Sequence, residues 1–195
     1  MKPPSGRKAA VLYLNPAEIV IAEGPATVTT VLGSCVSVTL FYPKSRQGTI
    51  CHAVLPSGSE REPGKYVDQA VLYMVHFFRE KQVSLSELVA KVFGGADMFP
   101  QMRGIRDNGT IGAQNIQAAL NTLEQVGIPP AVVEVSGQQG RKLVFFSDTG
   151  DVYIKRVPKD QLQLAEQTLL SKEKIQKIST ISRILRENSG VKGNA

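Results

Sequence analysis

The sequence predicts an α+β domain in which mixed, largely antiparallel β-sheet layers carry two main helices, and three observations lead there. Segments of alternating or β-branched character fill residues 9–55, and again 131–157. Two stretches with the period of an amphipathic helix lie between them. Strands first, helices in the middle and strands last are the order of an α+β domain with a mixed sheet.

Each element has its own signal. AAVLYL, AEIVIAE and ATVTTVL open the strand region, and CVSVTLFY and GTICHAVL follow around the turn PKSRQG. From Lys65 the period changes: Val67, Ala70, Val71, Met74, Val75 and Phe78 form one helical stripe, which is expected to lie on the sheet. SLSEL sets Ser84 and Glu87 at capping-box spacing for a short turn, VAKVF reads as a strand, and Gly94-Gly95 breaks it as a tight turn. In the second helix, AQNIQAALNTLEQVG, one face holds Ile116, Ala119, Leu120 and Leu123, and Gly127 before Ile-Pro-Pro ends it. AVVEVSG, RKLVFFS and DVYIKRV are strands, the last two joined by DTGD into a hairpin. Pro158 opens an extra C-terminal helical segment, with Leu162, Ala165 and Leu169, then Ile175, Ile178, Ile181 and Leu185 at helical spacing. The chain thus divides into a basic N-terminal tail (1–9), a domain (10–157) and a helical extension (158–195).

Composition excludes several function classes. With 195 residues, 42% of them hydrophobic, the chain can bury one core of ordinary size. No run of about 18 apolar residues is present to span a bilayer, and MKPPSGRKAA lacks the apolar centre of a signal peptide, so a cytoplasmic chain with no membrane insertion is expected. The net charge of +6 is confined to the ends, because residues 11–157 carry 13 Lys+Arg against 13 Asp+Glu. A neutral body without Trp, and without aromatics interleaved on a basic face, argues against nucleic-acid binding. Two cysteines and two histidines, with no Cys-x-x-Cys and no histidine pair at helical spacing, predict no metal, and no cofactor is expected.

The chemistry available centres on Cys35, where VLGSCVSV brings a Gly-Ser turn into an extended segment. A thiolate nucleophile needs a base, and the base needs orientation. His76 sits opposite the apolar stripe of its helix and should face solvent, which leaves His52. If Tyr42 pairs with Thr49 across PKSRQG, Cys35 lies opposite Pro56. His52 then shares its face at a four-residue offset, and Cys51 points the other way. A bulge, slip or bend would have to close that gap. These residues alone leave two readings open: a small buried hydrophobe beside a structural histidine, or a nucleophile and its base. Gly-Ser-Cys is not the Gly-x-Ser-x-Gly elbow of hydrolases, and GGADMF is neither a phosphate loop nor a dinucleotide fingerprint.

LGSCVSV, GTICHAVLP, KYVDQAV, KVFGGADMF, IGAQN and GRKLVFFSDTGDVYIK stand in an order and spacing that resemble the CheD family of chemoreceptor glutamine deamidases, over about residues 10–157. The resemblance implies a protein-glutamine glutaminase that hydrolyses receptor glutamines, with glutamate methyl esters as a second substrate, through a cysteine nucleophile. It carries the nucleophile onto Cys35 and the histidine onto His52. The upstream threonine of the triad falls on Thr29, six residues before the cysteine and of its strand parity, with Thr30 as the alternative. The implied substrate is the cytoplasmic domain of methyl-accepting chemoreceptors, and a CheC-type chemotaxis phosphatase is an implied partner. The alternative function is a binding module that regulates that phosphatase. The implied fold is that of the deamidase domain of cytotoxic necrotizing factor toxins. Gln114 replaces an arginine of the family pattern and Ser136-Gly137 replaces Gly-Gly; both bear on substrate or partner preference rather than on the triad.

Overall fold

The computed structural model describes residues 9–97 and 109–158. The basic tail over 1–8 and the helical segment expected after Pro158 lie outside the described residues. Among the described residues nine strands form two sheets: β1 (Ala10–Tyr13), β2 (Ile19–Ala22), β3 (Ala26–Leu32), β4 (Val36–Tyr42), β5 (Gln47–Cys51), β6 (Val89–Gly94), β7 (Pro130–Val135), β8 (Gly140–Phe146) and β9 (Val152–Val157). One sheet runs β1-β3-β8-β9 and the other β2-β5-β4-β6-β7. Only β1–β3 and β6–β7 pair in parallel, so the mixed, largely antiparallel α+β expectation holds.

Burial shows the layering. In β4 the even residues Val36, Val38 and Leu40 pack under both helices, α1 (Val67–Glu80) and α2 (Ile111–Gln125), while Ser37 and Thr39 are buried on the other face. A strand covered on both faces loses the apolar-polar alternation that half-exposed β3 keeps, with Val28, Thr30 and Leu32 inward and Thr27, Thr29 and Val31 half-buried. Leu14, Val28, Ile50 and Phe145 form the core between the sheets, and Leu32, Phe93 and Leu143 extend it. The five-stranded sheet is therefore the middle layer, with the α1 stripe of Val67 to Phe78 fully buried on its helix side. His76 is 67% exposed and meets Glu80 at 3.2 Å, as its position opposite that stripe requires.

Three local expectations need correction. PKSRQG is not a six-residue loop: Arg46 turns at φ 55°, Tyr42 pairs with Gln47, and Gly48 belongs to β5. A Cβ on Gly48 would lie 2.6 Å from the Phe145 ring and 2.7 Å from the Ser147 carbonyl, so this glycine serves sheet-to-sheet contact. Ser84 stands at the N-cap of a 3-10 turn (Leu85–Glu87) without closing a capping box, because the Glu87 carboxylate takes Lys44 and Tyr42 instead. In α2 the fully buried row is Gly112, Asn115, Ala119, Thr122 and Leu123, with Ile116 and Leu120 at its margin. Two polar residues inside the core rotate the face away from the one apolarity alone defines.

Candidate functional site

The chain changes sheets at Gly33–Cys35, between β3 and β4, and this crossing presents Cys35. Three successive carbonyls of the turn are anchored. Gly33 O accepts from Ala96 N at 2.8 Å, Ser34 O from Asn115 Nδ2 at 3.0 Å, and Cys35 O from Gly95 N at 2.8 Å. Gly94-Gly95 is thus no simple turn. Gly94 adopts φ 107°, and a Cβ there would lie 2.3 Å from the Cys35 carbonyl. Behind the turn, Arg141 is buried in register with Leu32 and donates to Gly94 O at 3.3 Å and Ser136 O at 2.6 Å. Cys35 is partly exposed and packs against the cluster of Leu32, Phe93 and Leu143, on the face toward the other sheet.

The observed register closes much of the gap between Cys35 and His52. Leu40 pairs with Thr49, and Val36 bridges Ala53, which sets Cys35 opposite Val54. His52 is now offset by two residues instead of four, on the same face. Cys51 points into the helix-side core, fully buried, with its thiol pushed up to about 11 by burial. Neither cysteine is in a disulfide, and their opposite faces exclude one between them.

His52 is 3% exposed, and its Nδ1 lies 2.8 Å from Thr30 Oγ1. The residue that holds the imidazole is therefore Thr30 and not Thr29. Parity counted from Cys35 back to Thr29 fails because Gly33-Ser34 bends the chain from one sheet into the other. Inside β3 the inward residues are the even ones, and Thr29 sits on the outer face, paired with Tyr13 and Val144. Thr30 Oγ1 also donates to Leu14 O at 2.8 Å. A hydroxyl has one hydrogen, so toward His52 it accepts, which places the ring proton on Nδ1 and leaves the Nε2 lone pair bare. The tautomer follows from the hydrogen-bond network.

Burial pushes His52 down to about 4, against the opposing effects of the Leu14 carbonyl and the Glu18 charge, so the ring is neutral at pH 7. This carries a stability prediction. A histidine of ordinary pKa, about 6.5, binds a proton in the unfolded chain that the folded chain refuses. Stability is therefore full above about pH 6.5 and falls as the pH drops toward 4, by about 3 kcal/mol from this group. Urea unfolding between pH 7.5 and 4 should show that loss in the wild type and a correspondingly shallower slope in His52→Gln; parallel curves would refute it.

Among the described residues no group of three or more His, Cys, Asp or Glu is placed to hold a metal ion, and no helix is long and apolar enough to cross a membrane.

A three-layer α+β domain with a thiol on an anchored sheet-crossing turn, and a neutral imidazole fixed by a threonine across the sheet interface, defines the class of protein. The family model described as CheD chemotactic sensory transduction matches residues 54–156. The chain is 40% identical to a probable chemoreceptor glutamine deamidase CheD 2 of Geobacter sulfurreducens, over 75% of this chain and 89% of that one. It is 42% identical to a probable chemoreceptor glutamine deamidase CheD of Maridesulfovibrio salexigens, over 76% and 92%. The chain belongs to the CheD family.

Proposed function

We propose that this chain is a chemoreceptor glutamine deamidase of chemotaxis, acting in the cytoplasm on the receptor's cytoplasmic domain, with Cys35 as nucleophile and His52 as base. The observation that carries the mechanism is the Leu14–Thr30–His52 relay, which leaves Nε2 bare on the face of the sheet that Cys35 shares. The names of the relatives supply the substrate class.

Nε2 takes the thiol proton as Sγ attacks the glutamine carboxamide carbon, and the thiolate formed nearby raises the proton affinity of the ring. The tetrahedral oxyanion collapses with C–N cleavage, Nε2 returns the proton to the leaving nitrogen, and ammonia departs from a thioester. Water then gives a proton to Nε2, its oxygen attacks the thioester carbon, and C–S cleavage, with return of that proton from Nε2 to sulfur, frees glutamate and the thiol. A trans peptide sets C=O and N–H on opposite sides. With the Gly33 and Ser34 carbonyls anchored toward β6 and α2, the amides of Ser34 and Cys35 point the other way, the orientation an oxyanion hole needs. Hydrolysis of a glutamate methyl ester would use the same acyl intermediate.

The test is peptide mass spectrometry of a receptor cytoplasmic fragment from the same organism, incubated with this protein or with Cys35→Ala. A gain of about one dalton at a glutamine with the unmodified protein alone supports the reading. No change with either protein moves the assignment to a binding role, with a CheC-type phosphatase as the partner to try next.

The two threonines separate cleanly. Thr30→Val keeps the shape but leaves the imidazole N–H and the Leu14 carbonyl without their partner, and deamidation should fall at least about tenfold. Thr29→Val, on the outer face, should stay within about twofold. Initial rates on the same receptor fragment decide it, and the reverse order would restore Thr29 to the triad.

A further inference from the structure

Past the bridge between Val36 and Ala53, the two strands that bear the site part company. Val36 N donates to Ala53 O at 3.0 Å and Ala53 N to Val36 O at 2.9 Å, the last rung of the ladder. Beyond it Val54 N and Leu55 N both turn to Lys65 O, while the Gly33 and Cys35 carbonyls turn to Ala96 and Gly95. The next pair in register, Cys35 with Val54, is one that an antiparallel ladder leaves without a rung, and the rung due after it, Ser34 with Leu55, is missing because Leu55 N goes to Lys65 O. A single side chain from α2 fills that place: Asn115 Nδ2 donates to Ser34 O and to Val54 O, each at 3.0 Å.

We propose that Asn115 is a positioning residue that fixes the nucleophile turn against the histidine strand and so sets the approach of Cys35 to His52. The proposal rests on the reading of Cys35 and His52 given above. Both hydrogens of one amide nitrogen are committed, one to the residue before Cys35 and one to the residue two past His52, so neither strand can shift without the other. The helix that carries Asn115 is itself pinned at this point. A Cβ on Gly112 would lie 2.7 Å from the Gly95 carbonyl, and Gly95 N holds the Cys35 carbonyl.

The unused half of the side chain argues the same way. Asn115 is fully buried, and its Oδ1 is buried with no hydrogen-bond partner among the described residues. A buried amide with its acceptor unpaired is a poor device for stability, since an apolar residue of the same shape would leave nothing unpaired on the side chain. What the amide does that no apolar residue can is donate twice along fixed directions. Aspartate would set oxygen against both carbonyls, and glutamine would carry the amide one methylene too far. The sequence holds a trace of this: Asn115 lies on the helical row of Ala119 and Leu123, a polar residue where the row calls for an apolar one.

The test reads thiol chemistry, which needs no receptor. In the full chain, the iodoacetamide alkylation rate of Cys35 is followed against pH by peptide mass spectrometry in wild type, His52→Gln, Asn115→Leu and the double variant, with deamidation rates alongside. Asn115→Leu should reproduce the alkylation profile of His52→Gln although His52 is present. Its deamidation rate should fall at least about tenfold, with no further loss in the double variant. A wild-type profile and rate in Asn115→Leu, losses that multiply in the double variant, or an alkylation profile indifferent to both residues would overturn the proposal. If the leucine variant does not fold, Asn115→Ser, which keeps one donor, is judged by the same profile. A profile governed by His52 and Asn115 in a protein that deamidates nothing would reject the catalytic reading and keep the positioning one.

Discussion

Cys35→Ala should lower receptor deamidation at least about a thousandfold, whereas Cys51→Ala should leave the rate per folded molecule within about twofold. The two thiols are sixteen positions apart and chemically opposite. Cys51 sits fully buried under α1, its thiol held up at about 11 by burial, and its sulfur accepts from Val38 N at 3.4 Å. It is a small core hydrophobe, and its loss should appear as reduced stability, on the order of 1 kcal/mol or more for the cavity left. Cys35 is partly exposed on a turn whose three carbonyls are each held by a different donor. Alanine there removes the sulfur and little packing. The pair of variants is thus a double dissociation, with activity lost and melting temperature kept at 35, and the opposite at 51. Deamidation surviving in Cys35→Ala would end the thiol mechanism.

The elements were legible because their signals are local. The α1 stripe from Val67 to Phe78 and the strands β3 and β6 stand where periodicity put them, and Gly127 ends α2 as expected. What a linear reading misplaced were quantities set by contact between layers. The β4–β5 register depends on Arg46 taking a positive φ and on Gly48 passing close to Phe145, and neither is visible within the turn itself. The shift was by two residues, so the face shared by Cys35 and His52 survived the error, while the distance between them shortened. The parity that favours Thr29 over Thr30 runs through Gly33-Ser34, where the chain leaves one sheet for the other and parity has no meaning. The relay from Leu14 through Thr30 to His52 joins three segments that no spacing rule connects. Likewise, the buried row of α2 runs through Asn115 and Thr122 because carbonyls in other elements take the Asn115 Nδ2 hydrogens and the helix's own Ala118 carbonyl takes the Thr122 hydroxyl.

Gly94→Ala should damage both stability and activity, and Gly127→Ala is its control. Both glycines end an element with positive φ, 107° at Gly94 and 77° at Gly127. Backbone strain alone costs alanine about 1–3 kcal/mol in such regions, and at Gly127 nothing lies within 4 Å of the added carbon, so the effect there should stop at that strain. At Gly94 the same carbon would stand 2.3 Å from the Cys35 carbonyl oxygen and 3.0 Å from Leu32 Cδ1. Either β6 or the nucleophile turn must move, and the bond from Gly95 N to Cys35 O goes with it. The turn is the weaker of the two, since β6 is paired on both sides by β4 and β7. A displacement of about an ångström at a reacting atom can cost a hundredfold in rate, so the Gly94→Ala molecules that fold should lose at least about that much deamidation. They should also unfold at least about 3 kcal/mol more easily in urea. Gly127→Ala should keep its rate. Equal stability losses in the two variants, with activity retained in both, would show that the close approach of β6 does not hold Cys35 in place.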